Sequence, residues 1–158
     1  YEIIKCDWSS DVCSSDLWLA DLARYEWAEL AVDVMDVTPL AHDPQGDLMQ
    51  GRVVLNPARV DMASQWPVHR IGPAWQPRQT QPTFLVVFRD TQHQVQFSEI
   101  NAVTARVLAL LDEGCTGQQA LEQLAHDMAH PDPQALMGFG QQLLTSLREQ
   151  GVILGTPT

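Results

Sequence analysis

Apolar residues recur along this chain in two different rhythms, and the switch between them marks out the elements. Over residues 18–36, Leu19, Leu22, Ala23, Trp27, Leu30, Ala31 and Val34 return at three- and four-residue intervals, with Asp21, Arg24, Glu29 and Asp33 on other faces. That spacing predicts an amphipathic helix, with Trp18, Tyr25 and Trp27 expected to pack against a helical domain before it. Residues 37–51 form a turn-rich connector punctuated by Pro39, Pro44, Gly46 and Gly51. Arg52 to Ala63 reads as extended, with Pro57 marking an edge or bulge. After Trp66 to Ile71 comes a Pro/Gln-rich stretch, Pro73 to Pro82, the expected boundary between two units.

Beyond that boundary the pattern is clearer. Thr83–Phe88 and Gln92–Phe97 read as two strands joined by a hairpin-length turn containing Asp90. Val95 and Phe97 alternate with Gln94 and Gln96, so one face is expected buried and the other wet. Ser98 is the expected N-cap of a helix through Val103, Val107, Leu110 and Leu111 that ends at Gly114. Thr116 with Gln119 forms a capping box for a second helix. Asp132 before Pro133 starts a third, expected to bury Leu136, Phe139, Leu143, Leu144 and Leu147 and to stop at Gly151. Val152 to Leu154 is read as a closing strand. The fold class is α+β: a helix and an irregular extended segment, then a small winged-helix-like domain over 81–158 of hairpin, three helices and a short strand.

Residues 1–17 stand apart. Asp7 to Leu17 is the in-frame translation of a common short-read sequencing adapter over eleven consecutive positions, and Tyr1 to Ile3 fits the adapter text upstream. Lys5 is the only lysine of the chain, and four of its seven serines fall in this stretch. The segment is therefore treated as an artefact and kept out of fold reasoning. On this reading residues 18–36 are the end of a truncated helical domain. Setting 1–17 aside removes Lys5 and four acids, which takes the formal charge from −11 to −8. Cys6 and Cys13 go with it, leaving Cys115 alone and no cysteine framework for a disulfide or metal.

The acidic balance argues against a protein devoted to the phosphate backbone, where clustered cations supply most of the affinity. No apolar run is long enough to span a membrane. His126 and His130, four apart beside Asp127 and Asp132, have a spacing used by metal sites, but a polar helix end before Pro131 explains them more cheaply. Cys115 lies between a helix-ending glycine and an N-cap threonine, where a small turn residue is the simpler reading than a nucleophile. No phosphate loop, nucleophile elbow or zinc array is present in the sequence, so no catalytic residue, metal or cofactor is expected.

Leu19 to Trp27, then Val54-Leu55-Asn56-Pro57 and Trp66-Pro67-Val68-His69-Arg70-Ile71, resemble the corresponding segments of HvfC-type proteins. Asn56 stands where a histidine is frequent and Gly72 where an aromatic is frequent. Such proteins often carry a DNA-binding-domain label. The resemblance, which extends to MbnC-like partners of methanobactin pathways, implies something else: a cytoplasmic, non-catalytic partner of an iron-dependent TIM-barrel enzyme that oxidises cysteines of a ribosomal precursor peptide. The tail further resembles PqqD-like domains, which capture a leader peptide as an added strand. On that basis Phe84, Val86, Phe88, Val95 and Phe97 are the expected peptide-binding edge, and Trp66, Pro67, Val68, His69, Arg70 and Ile71 the expected interface with the enzyme. The competing reading is a winged-helix transcriptional regulator inserting the helix around Ala120 to Met128. Its weakness is that Gly114 to Met137 contains no Arg or Lys.

Overall fold

The computed structural model describes residues 17–129 and 131–158. All of the adapter-like stretch but Leu17, and His130, therefore lie outside the described residues. The elements run α1 (Leu19–Asp33), β1 (His42–Asp43), β2 (Val54–Leu55), β3 (Arg59–Ser64), a single 3-10 turn (Val68–Arg70), β4 (Thr83–Arg89), β5 (Val95–Ile100), α2 (Ala102–Asp112), α3 (Gly117–Asp127), α4 (Pro133–Gln150) and β6 (Ile153–Pro157). The class is α+β, and the order hairpin, three helices, strand over the tail is the expected one.

Two antiparallel sheets organise the chain, in the orders β3-β4-β5 and β1-β6-β2. Both cross the expected boundary at Pro73–Pro82. β3 pairs with β4 along its whole length, from Arg59↔Phe88 to Ser64↔Thr83, and β6 lies between β1 and β2. Residues 37–80 are thus built into the same sheets as the tail rather than tethering it.

The central strand β4 has a core on each face, because successive side chains point to opposite sides. Val86 and Phe88 join Leu108, Leu121, Leu144, Leu147 and Ile153 in the core formed with α2, α3, α4 and β6. Leu85 and Val87 join Ala28, Val32, Met62, Trp66 and Val68 in a second core beneath α1. Burying an aliphatic side chain of this size contributes about 1.5–3 kcal/mol. Loss of either layer would therefore leave half of β4's side chains without cover.

The three tail helices are closed by local chemistry. Thr116 Oγ1 accepts from Gln119 N–H while Gln119 Oε1 accepts from Thr116 N–H, the capping box read from the sequence. Asp132 Oδ1 accepts from the N–H groups of Gln134 and Ala135. Gly114 and Gly151 end α2 and α4 at φ 93° and 85°, a left-handed turn in which a Cβ is strained. One cap differs from expectation. Ser98 is inside β5, and Asn101 caps α2 through Oδ1, 2.8 Å from Thr104 N. The strand carries on three residues further than expected before the cap. Phe139 of α4 is exposed, not buried.

α1 corrects the sequence reading most sharply. Its inward face is Leu22, Tyr25, Ala28 and Val32. Leu19, Trp27, Leu30 and Val34, on the apolar stripe that the spacing suggests, are exposed, with Trp27 at 64%. Both faces of the helix carry apolar residues, so period alone cannot choose between them. Polar anchors fix the choice. Asp21 Oδ2 accepts from Ser64 Oγ (2.7 Å) and Gln65 N–H (3.2 Å) at one end. At the other, Arg89 donates to the carbonyl oxygens of Asp33 (2.9 Å) and Met35 (2.7 Å), a cation at a helix C-terminus. Between these anchors α1 runs along β4, helix and strand both about 22 Å long.

Candidate functional site

The hairpin turn is set by Asp90. Its Oδ1 accepts from Gln92 N–H (2.8 Å) and Gln94 N–H (2.9 Å), and its Oδ2 from Gln96 Nε2 (2.8 Å). These bonds, the one from Gln94 N–H foremost, hold the carboxyl below its usual range. Asp90 N–H donates to Gln94 O at 2.9 Å, and Arg89 N–H donates the other way, to Ala58 O on the β3 side. Because pairing alternates along an antiparallel strand, Gln96, Ser98 and Ile100 turn their main-chain groups toward β4. Val95, Phe97 and Glu99 turn theirs outward. Among the described residues no further strand lies beyond β5 in this sheet. β5 is therefore an open edge with three residues whose main-chain groups face away from the sheet.

The sequence-predicted edge residues divide along this line. Phe84, Val86 and Phe88 belong to β4, which is flanked by β3 and β5, so each is paired on both sides. Val86 and Phe88 are also fully buried. They hold the edge in place but offer a guest strand neither main chain nor side chain. Val95 and Phe97 lie on the open edge itself. Phe97 remains 38% exposed, its ring centroid 5.0 Å from that of Tyr25 on α1. Burial first, then the charges of Glu26 and Glu29, push the Tyr25 phenol above its ordinary range.

The segment expected to meet an enzyme is likewise split. Trp66, Pro67 and Val68 are buried, Trp66 and Val68 in the core under α1, and Val68–Arg70 form the 3-10 turn. Ile71 is half-buried against the same core. The cover supplied by α1 turns these apolar side chains inward and makes them packing. His69 and Arg70 reach the candidate edge instead. Glu99 on β5 lies 3.0 Å from His69 Nε2 and accepts from Arg70 NH2 at 3.2 and 3.3 Å. Desolvation, which raises the Glu99 pKa, is outweighed by the Arg70 hydrogen bond and the neighbouring charges of His69 and Arg70, so the net shift is downward. The site is thus a strand edge bearing Val95, Phe97 and Glu99, flanked by Tyr25 of α1 and Arg70 of the turn. Glu99, Tyr25 and the rest of α1's flank were not singled out in the sequence as site residues.

Alongside the edge, Glu26, Glu29, Leu30 and Asp33 of α1 face His93, Gln94 and Val95 across an open groove of about 440 Å³. On the outward face of α1, Leu19, Trp27, Leu30 and Val34 make an apolar stripe. The other candidates carry less. Cys115 is a free, half-buried thiol packed against the helical core. His126 is highly exposed and 3.9 Å from Asp127. Among the described residues no three His, Cys, Asp or Glu side chains come together in a geometry that could hold a metal. Among them, too, no helix is long and apolar enough to cross a membrane.

The fold is thus α+β, with an open strand edge beside an aromatic pair and charged side chains. A family model described as the HvfC C-terminal domain matches residues 58–148, more than half of the chain. The chain belongs to the HvfC family, through that C-terminal domain. Membership points to a partner-type role. No curated protein matches the chain.

Proposed function

We propose that this protein is the non-catalytic partner subunit of an iron-dependent TIM-barrel oxygenase that oxidises cysteines of a ribosomal precursor peptide. In this reading the precursor's leader adds as a fourth strand to β5. The observation that carries the peptide half is the outward main chain of Val95, Phe97 and Glu99. An extended guest gains main-chain hydrogen bonds there, and its alternate side chains meet Tyr25 and Phe97 on one face and Gln96 and Ser98 on the other. Membership of the HvfC family supports the partner role, and the enzyme half of the proposal rests on the resemblance of Trp66 to Ile71 and its neighbours to HvfC-type proteins.

The test is co-purification of the protein with an iron enzyme and a Cys-containing precursor encoded beside it. Wild type is expected to retain the precursor, and Phe97→Pro, which disturbs the outward edge, to lose it while still retaining the enzyme. Retention of the precursor by both forms would remove β5 as its site. Failure to retain the enzyme at all would remove the partner reading.

A further inference from the structure

Resting on the strand-addition reading, we infer that the guest segment is cationic, with Lys or Arg at two successive alternate positions on the face that meets α1. α1 lies over one face of the sheet, and Glu26, Glu29 and Asp33 lie on the flank beside β5, lining the groove with Val95 and the hairpin turn. Among the described residues none of these three carboxylates makes an ion pair.

The spacing decides how many cations fit. From Glu26 to Asp33 the helix rises about 10 Å. Same-face neighbours on an added strand stand about 7 Å apart. Two successive α1-facing side chains of the guest therefore come within reach of the three acids. The guest's other face meets Gln96, which is exposed, and Ser98, whose hydroxyl is 3.3 Å from Gln150 Oε1. Nothing charged is required there. Acidic guests would meet three carboxylates that make no ion pair among the described residues, and like-charge juxtaposition at an interface is a strong means of rejection.

The experiment uses the full chain and fluorescent peptides of alternating Lys and Thr, with Gln or Glu replacing Lys, and versions N-methylated along the pairing side. At low salt the lysine peptide is expected to bind about tenfold more tightly than the glutamine peptide, a ratio that three weak exposed charge contacts can supply. The ratio should fall toward one in the E26Q/E29Q/D33N variant. Equal binding of lysine and glutamine peptides, both abolished by N-methylation, overturns the cationic preference and leaves strand addition standing. Lysine-peptide binding that survives N-methylation overturns strand addition and this inference together. Failure of every peptide to bind at millimolar concentration counts against both.

Discussion

His69 Nε2 lies 3.0 Å from a carboxylate oxygen of Glu99, a contact between the turn after β3 and the outer strand β5 across thirty positions of sequence. The same nitrogen is 3.1 Å from Arg70 Nε and cannot both donate to the carboxylate and accept from the guanidinium. The charges favour donation to Glu99. Arg70 reaches the carboxylate through NH2, so one acid on the open strand gathers both polar residues of the motif. Glu99 is about half-exposed, which limits the contribution to below about 1 kcal/mol. Its carboxyl is held below the ordinary range, so the stabilisation is present at neutral pH and is lost as pH falls through the lowered folded-state value. Urea unfolding should therefore find Glu99→Gln slightly less stable than wild type at pH 7. The gap should close in strong acid, and a gap that persists there would assign the loss to packing instead.

Asn56 makes a larger demand on its site. Its Nδ2 donates to Arg89 O (2.8 Å) and Gly151 O (3.0 Å), and its Oδ1 accepts from Ala58 N–H (2.9 Å). One buried amide thus joins the end of β4, the end of α4 and the start of β3. Asn56→Ala leaves two carbonyls and an amide without those partners, at a cost of about 2–3 kcal/mol. Asn56→Asp should cost at least as much, because a carboxylate there faces two carbonyl oxygens and no longer donates to them. Chemical denaturation of the two variants checks the order, and an alanine variant as stable as wild type would mean that water replaces the side chain.

What could be read from the sequence follows the range of each signal. α2, α3 and α4 carry their own punctuation, in Thr116 with Gln119, Asp132, Gly114 and Gly151, and these act over four or five residues. Which strand of the hairpin is the open one depends on β3, which no local pattern in Thr83–Phe97 reveals. The same holds for β1 and β2. Each is two residues long and exists because β6 pairs with it from the far end of the chain. Trp66 and Val68 have the composition of an interface anchor, and they are indeed covered, but in the core beneath α1 of the same chain. The groove acids Glu26, Glu29 and Asp33 gave no signal of their own, because carboxylates on a helix flank ordinarily mean only a solvated face.

The Tyr25 phenol reports on the acids of α1 from a ring that lies beside Phe97 of the edge. Its pKa is raised by burial and then by Glu26 and Glu29. A raised folded-state value means that Tyr25 stabilises the fold fully below the unfolded value near 10 and loses that contribution as pH rises through the folded value. In a Tyr1→Phe background, an ultraviolet pH titration should show Tyr25 ionising above the free phenol. Glu26→Gln with Glu29→Gln should bring it part of the way back, with burial holding the remainder. Phe97→Ala should lower it further by admitting water beside the ring. An unchanged titration in the double glutamine variant would show that the carboxylates do not act on the edge.

The rotation of α1 makes paired substitutions diagnostic. Val32 is completely buried beneath the helix, whereas Trp27 is on the outward stripe. Trp27→Gln removes a large apolar side chain from solvent and should change stability by no more than about 0.5 kcal/mol. Val32→Asp puts a carboxylate against Leu85 and Val87 with no partner, and should cost several kcal/mol or abolish folding. Val32→Ala is the milder check, with an expected loss of about 1–3 kcal/mol from the methyl groups and the void they leave. Thermal unfolding of the three variants separates the observed face from the one that the spacing of Leu19, Trp27, Leu30 and Val34 first suggests. If Trp27→Gln destabilises more than Val32→Ala, α1 is turned the other way, and the acids assigned to the β5 groove no longer lie beside it.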